Sequence, residues 1–158
     1  MFHLLHKIKE TRRQKQEIEV THRGKVTQQL QGEFLRLEQT LNNYRLHRLE
    51  EEERILKKIT TQTLEKTEID DTRSDISKLR KKEKSLETDL HQSRKLLEEG
   101  KSAQGHAERA LRKLSHNEEK ALELLKMENA EKAFRYEKLD SMALEEFYFP
   151  GQRRPKGL

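Results

Sequence analysis

The chain has 158 residues, of which 40% are charged and 31% hydrophobic, and its 34 basic and 29 acidic side chains leave a net charge of +5. A mean hydropathy of -1.15 is too low for a compact core at this length, and the absence of cysteine excludes a disulfide framework and thiolate metal sites. Glu, Lys, Arg, Leu and Gln dominate, as in long helices. We therefore expect an all-α protein, a long and nearly continuous helix that forms an extended coiled coil.

Residues 1–29 predict a loosely periodic, basic helix. Its first 15 residues mix apolar and basic side chains, namely Phe2, Leu4, Leu5, Lys7, Ile8, Lys9, Arg12, Arg13 and Lys15. We interpret this segment as the start of a coiled coil, and the alternative is an anchor for a membrane surface or an acidic partner. His3 and His6 share a helical face, but two histidines alone are a weak ligand set, so we expect no metal site.

Residues 30–97 predict the coiled-coil rod. Apolar side chains follow one another at alternating spacings of four and three residues from Leu30 to Tyr44, as a heptad repeat requires. The same register continues to Leu125 without adjustment. With isoleucine at a positions and leucine at d positions, it favours two parallel strands. The predicted dimer seam is formed by Ile69, Ile76, Leu79, Leu86, Leu90 and Leu97.

The charges beside this seam also favour a parallel dimer. In a parallel, in-register pair, each g residue faces the e residue that lies five positions later on the partner. Between residues 68 and 94 these pairs have opposite signs: Glu68 with Arg73, Asp75 with Arg80, Lys82 with Glu87, and Asp89 with Arg94. We therefore expect a second coiled-coil chain as partner, in a homodimer or a heterodimer.

The seam is mostly polar between residues 48 and 65, where leucines lie beside it. This pattern indicates a loosened coiled coil, or else a stretch where a different chain supplies complementary charges. Glu83 and Glu118 occupy a positions and raise the same alternative, because a homodimer would set each glutamate against its own copy.

Residues 98–149 predict a helix with a wider apolar face, against which further helices pack. Gly100 and Gly105 raise the question of a hairpin. Leu97 and Leu111 are two heptads apart, so the register crosses both glycines unchanged. We expect a flexible point within one helix there, and a turn remains the alternative.

The chain ends in an aromatic cluster and a basic tail. Pro150 and Gly151 predict the end of the helix, and residues 150–158 predict a short, non-helical basic tail. Exposed aromatic side chains favour docking on a partner, or else folding back on residues 103–125. The expected docking residues are Leu139, Met142, Phe147, Tyr148, Phe149, Arg153 and Arg154.

With heptads from Leu30 to Leu125, a high charge density and no proline before Pro150, the chain resembles the coiled-coil proteins of cilia, axonemes and centrosomes. The resemblance implies a non-enzymatic cytoskeletal or axonemal scaffold, cytoplasmic and located at the cytoskeleton or the cilium. It also implies an acidic filament, such as a microtubule, as the surface that binds the basic tail.

The alternative function is binding of nucleic acid or a membrane surface through the basic N-terminal segment and "SKLRKKEK" at 77–84. This alternative is weaker than the scaffold, because Arg80 and Lys82 are already assigned to pairs beside the seam, and we do not expect nucleic acid as a partner. The sequence shows no catalytic motif, and "GKS" at 100–102 lacks the earlier glycine of a phosphate-binding loop. No apolar run is long enough for a membrane span, and no cofactor is expected.

Overall fold

The computed structural model describes residues 1–61 and 65–148, except for the side chain of Glu146. It contains helix α1, Phe2–Thr61, and helix α2, Lys66–Tyr148. The described residues outside these helices are Met1 and Glu65, so the all-α prediction is confirmed. The expected single, nearly continuous helix is wrong, because the described residues form two helices.

A local hydrogen bond marks the start of α2. The backbone N–H of Glu65 donates to the carboxylate of Glu68 at 3.0 Å, which is one half of a capping box. Glu68 also places a negative charge in the first turn, where it interacts favourably with the helix dipole. The sequence around Glu65 therefore favours a new helix start.

Neither Gly100 nor Gly105 interrupts α2, so the turn considered at these glycines does not occur. A Cβ atom added to Gly100 would lie 3.0 Å from Leu30 Cδ1 on α1, and the glycine permits this close approach.

The chain divides into two compact units. The terminal unit contains residues 1–17 and 109–148, and the central unit contains residues 18–108. In the central unit Glu52 pairs with Arg80, whereas Gly24 lies near Gln104, so the two helices run antiparallel. In the terminal unit Arg13 contacts Glu118 and the Met1 amino group lies 3.8 Å from Glu128, which is again antiparallel.

From Ile69 to Glu128, each a and d position of the heptad register on α2 is buried or half-buried. The buried hydrophobic residues among the described ones are Leu41, Leu97, Ala107 and Ala121. Thr27 and Ser93 are buried as well, so small and polar groups occupy part of the seam.

Candidate protein-docking site

Charged side chains join the two helices of the central unit where the α1 seam is polar. Arg45 Nε and Nη2 donate to Glu83 at 3.1 Å and to Glu87 at 2.5 Å. Arg48 contacts Glu83 and also lies 3.0 Å from Glu52. The charges that complement α1 at this point therefore come from α2 of the same chain.

The Glu52 carboxylate receives a hydrogen bond from Arg80 Nε at 3.0 Å. This bond, with Arg48 as a second cation, holds the pKa of Glu52 below its ordinary value. The same bond raises the pKa of Arg80. Both shifts favour the charged forms, so the pair stays ionised at neutral pH.

The predicted dimer seam lies on the face of α2 that packs against α1. Leu97 is buried, and Ile69, Ile76, Leu79, Leu86 and Leu90 are half-buried. Tyr44 on α1 donates a hydrogen bond to the backbone carbonyl of Leu79 at 3.1 Å. In the structure the helix that covers this face belongs to the same chain and runs antiparallel.

The residues predicted to form charge pairs across a dimer have other neighbours. Three members of the predicted set interact with α1. Arg80 pairs with Glu52, Glu87 pairs with Arg45, and the Lys82 ammonium lies 5.3 Å from the centre of the Tyr44 ring.

The remaining members of that set lie along α2 itself. Asp75 accepts a hydrogen bond from Lys78 at 3.0 Å, and Arg94 lies 3.5 Å from Glu98. Glu68 caps the helix, as described above, and Arg73 and Asp89 are exposed.

The most exposed apolar surface belongs to the last part of α2. The Met1 amino group lies 3.8 Å from the Glu128 carboxylate. From Asn129 to Tyr148, each side chain that the structure describes is exposed. We call residues 129–148 the α2 extension. Its large apolar side chains are between 52% and 86% exposed, namely Phe134, Tyr136, Leu139, Met142, Leu144, Phe147 and Tyr148. Soluble proteins rarely leave so many large apolar groups uncovered on one short segment.

Ion pairs within the helix support the extension as a helix. Lys132 Nζ lies 3.1 Å from Glu128, and Arg135 lies 3.6 Å from Glu131, each with the spacing of one helical turn. Lys132 lowers the pKa of Glu128, and the Met1 amino group adds a smaller contribution. The apolar side chains are thus displayed on a regular helix, which suits docking.

Of the predicted docking residues, Leu139, Met142, Phe147 and Tyr148 lie on the α2 extension and are exposed. In the structure Phe147 and Tyr148 do not fold back on residues 103–125. Phe149, Arg153, Arg154 and the predicted tail, residues 150–158, lie outside the described residues.

Sequence reasoning missed the antiparallel pairing of the helices, although the seam carries a signal for it. Arg13 and Arg48 stand at a positions five heptads apart, and Glu83 and Glu118 stand at a positions with the same separation. In the structure Arg13 contacts Glu118 and Arg48 contacts Glu83. Within each unit, then, a seam cation of α1 meets a seam anion of α2, as in an antiparallel helical hairpin.

The described part of the chain holds no cluster of three or more His, Cys, Asp or Glu side chains placed to bind a metal ion. Within the same residues, neither helix has a stretch long and apolar enough to cross a membrane.

The family model described as "Type III secretion protein YscO" matches residues 2–149. A solved structure with the same fold is the 2.8 Å crystal structure of type III secretion protein YscO from Vibrio parahaemolyticus, with a TM-score of 0.85 and 24% identity. The match covers 93% of this chain and 92% of that one. No curated protein matches the chain.

The predicted relation to cilia, axonemes and centrosomes is therefore wrong, and so are the cytoskeletal function, the microtubule partner and the location at a cytoskeleton or cilium. Heptads and dense charge describe any long pair of helices, so these features alone could not separate a ciliary scaffold from a bacterial secretion component. Because the family model spans nearly the whole chain, the protein belongs to the YscO family of type III secretion proteins.

Proposed function

We propose that this member of the type III secretion apparatus is a non-enzymatic assembly component and that the α2 extension is its docking helix. The observation that carries the proposal is the exposure of large apolar side chains along residues 129–148, beyond the point where Met1 meets Glu128. Large apolar and aromatic side chains are the usual anchors of protein interfaces.

The proposed docking leaves the pair of helices intact. A second chain placed along Ile69, Ile76 and Leu79 would have to displace α1 and leave Arg48 and Glu83 without each other. Separating such a pair is unfavourable, because it leaves charges poorly compensated. Docking on the α2 extension requires no such rearrangement.

The experiment is complementation of a strain that lacks the gene. The variant Leu139→Ser/Met142→Ser/Phe147→Ser removes apolar anchors that are 60%, 52% and 86% exposed. We expect wild-type helix content and thermal stability by circular dichroism, because each of these side chains is more than half exposed. Secretion of type III substrates should fall to about a tenth or less, as loss of several interface anchors predicts.

The matched control is Leu46→Ser/Leu49→Ser/Leu56→Ser, which alters side chains of the central unit that are 63%, 54% and 54% exposed. This control should secrete normally. Normal secretion by the extension variant would refute the docking role of residues 129–148.

A further inference from the structure

The first turns of α1 present an exposed face that combines apolar and basic side chains. Leu4 and Ile8 are 67% and 45% exposed. Spacings of four, three and four residues place Leu4, Ile8, Thr11 and Lys15 in one line along the helix. With Lys7 and Arg12, these side chains line a shallow surface depression. We call this set the α1 basic face: Leu4, Lys7, Ile8, Thr11, Arg12 and Lys15.

The charges of the α1 basic face have a single sign. Lys7, Arg12 and Lys15 are exposed, and among the described residues no carboxylate forms an ion pair with them. Glu10 is the one acidic residue between positions 1 and 15. It is half-buried and accepts a hydrogen bond from its neighbour Gln14 at 3.5 Å. The face therefore carries three cations that its own helix does not neutralise.

Exposed cations elsewhere on α1 are neutralised by their own helix. Arg23 lies 2.7 Å from Glu19, and Lys57 lies 2.8 Å from Glu53. Such pairs leave little net charge for a partner, because each cation has an anion one helical turn away. The α1 basic face differs from these surfaces in both respects, since its cations are unpaired and its centre is apolar.

We propose that the α1 basic face binds an acidic amphipathic helix of a partner protein. The apolar side chains of that helix cover Leu4 and Ile8, and its carboxylates lie opposite Lys7, Arg12 and Lys15. An apolar line with charges beside it is the arrangement of a seam between two helices. This surface lies on α1, so binding here does not depend on the docking role proposed for the α2 extension.

A second copy of the same face does not complement it. The face contains no carboxylate, so pairing two copies in either direction and in any register offers no anion to the three cations. The occupant must therefore carry acidic side chains from a different sequence segment.

The apolar centre also separates an acidic helix from other anionic surfaces. Nucleic acid is bound chiefly through its phosphates, which would leave Leu4 and Ile8 without a partner. A helix in a membrane interface buries one continuous apolar face. Here Thr11 and Lys15 follow Leu4 and Ile8 along the same line, so the apolar surface is short and suits a helix better than a bilayer.

The test measures binding of a designed peptide to the full chain by fluorescence anisotropy. The probe is an amphipathic peptide of about 18 residues, or about five helical turns, with leucines spaced alternately by three and four and glutamates on both sides. We expect saturable binding. Leu4→Ser/Ile8→Ser should weaken it about tenfold or more, because the apolar area buried by the peptide is lost.

Leu46→Ser/Leu49→Ser is the matched control for the apolar contact. It alters two side chains of the same helix that are 63% and 54% exposed but belong to the central unit. This variant should change the dissociation constant less than about twofold. Circular dichroism of each variant checks that its helix content is that of the wild type.

Exchanging the charges tests the contact without removing apolar side chains. Lys7→Glu/Arg12→Glu/Lys15→Glu should weaken binding of the glutamate peptide about tenfold or more. The same variant should gain binding of a peptide in which lysines replace the glutamates, as a direct charge contact requires.

The control for net charge is Arg112→Glu/Lys113→Glu/Lys120→Glu, which reverses three exposed cations of α2 in the same unit. It should change the dissociation constant less than about threefold at physiological salt, where charges far from the peptide are screened.

The inference is wrong if the glutamate peptide does not bind the wild-type chain, if the two leucine and isoleucine variants lose equal affinity, or if reversing the charges has no effect. Binding of vesicles of phosphatidylcholine and phosphatidylglycerol in place of the peptide, lost in Leu4→Ser/Ile8→Ser, would identify a membrane surface instead. Self-association of the chain that the same variant abolishes would identify a second copy as the occupant.

Discussion

Gly100 shows how a single residue fits the packing of the central unit. A Cβ atom at this position would lie 3.0 Å from Leu30 Cδ1 and 3.7 Å from Thr27 Oγ1. A separation of 3.0 Å is too short for ordinary carbon contacts, so the leucine methyl would have to move. At Gly32 and Gly105, by contrast, an added Cβ meets nothing within 4 Å.

This difference predicts that replacing glycine with alanine has a different effect on the free energy of unfolding at Gly100 than at Gly32 and Gly105. Gly32→Ala and Gly105→Ala should each raise the free energy of unfolding by about 0.5–1 kcal/mol, because alanine is the better helix former. Gly100→Ala should gain little or lose stability, because Leu30 must shift. Urea unfolding followed by circular dichroism measures all three, and an equal gain for Gly100→Ala would contradict the close contact.

At the residue scale, the sequence identified the heptad positions but not the helix that covers them. Leu41 and Leu97 lie in the heptad register and are 3% and 7% exposed. Periodicity identifies which face of a helix is apolar, and it carries no information on the direction or origin of the covering helix. The sequence left docking and folding back on residues 103–125 open for the aromatic end of the chain, and in the structure Leu139 and Phe147 are 60% and 86% exposed.

At the scale of the elements, the polar seam of α1 is explained by α2. Arg48 would be an unfavourable seam residue in a parallel homodimer, where it would face its own copy. In the hairpin it meets Glu83 and Glu52 instead. The sequence of either helix alone does not show this match, because Arg48 lies on α1 and Glu83 lies on α2.

The ion pairs between α1 and α2 predict a stability that depends on pH. The folded state lowers the pKa of Glu52 from its ordinary value of 4.5, through Arg80 first and Arg48 second. A lowered pKa in the folded state means that this contribution is present above pH 4.5 and is lost as the pH falls through the folded-state value. The melting temperature should therefore fall on acidification below about pH 4.5.

Glu52→Gln should lower the melting temperature at neutral pH and flatten part of the acid-induced fall. Glu53→Gln is a suitable control, because Lys57 on the same helix lowers the pKa of Glu53. The Glu53 pair spans a single turn and does not join the helices, so its removal should have the smaller effect. Identical pH profiles for Glu52→Gln and the wild type would contradict the role of the pair with Arg80.

At the scale of the whole molecule, α1 of the same chain covers the face of α2 on which a second chain was expected. The chain contains no cysteine, so introduced cysteines report on this pairing without background. Thr27 Oγ1 lies 3.7 Å from the position of a Cβ at Gly100, so side chains at these two positions approach each other closely between the two helices.

Thr27→Cys/Gly100→Cys should form a disulfide within one chain on mild oxidation, with the mass of a single chain on a non-reducing gel. Thr27→Cys/Gly105→Cys is the control and should remain reduced, because position 105 lies more than a helical turn further along α2. Products of twice the mass from the first variant would indicate that Thr27 meets a second chain and would contradict the hairpin.

The small number of buried hydrophobic residues has a thermodynamic consequence. Among the described residues only Leu41, Leu97, Ala107 and Ala121 are hydrophobic and buried, and Thr27 and Ser93 share the interior with them. Heat capacity rises on unfolding mainly because apolar surface becomes hydrated. Calorimetry should therefore give a heat-capacity change of unfolding below the usual value of about 12–15 cal/mol/K per residue. A small heat-capacity change flattens the curve of the free energy of unfolding against temperature. Cooling should therefore lower the free energy of unfolding of this protein less than that of a globular enzyme of equal length.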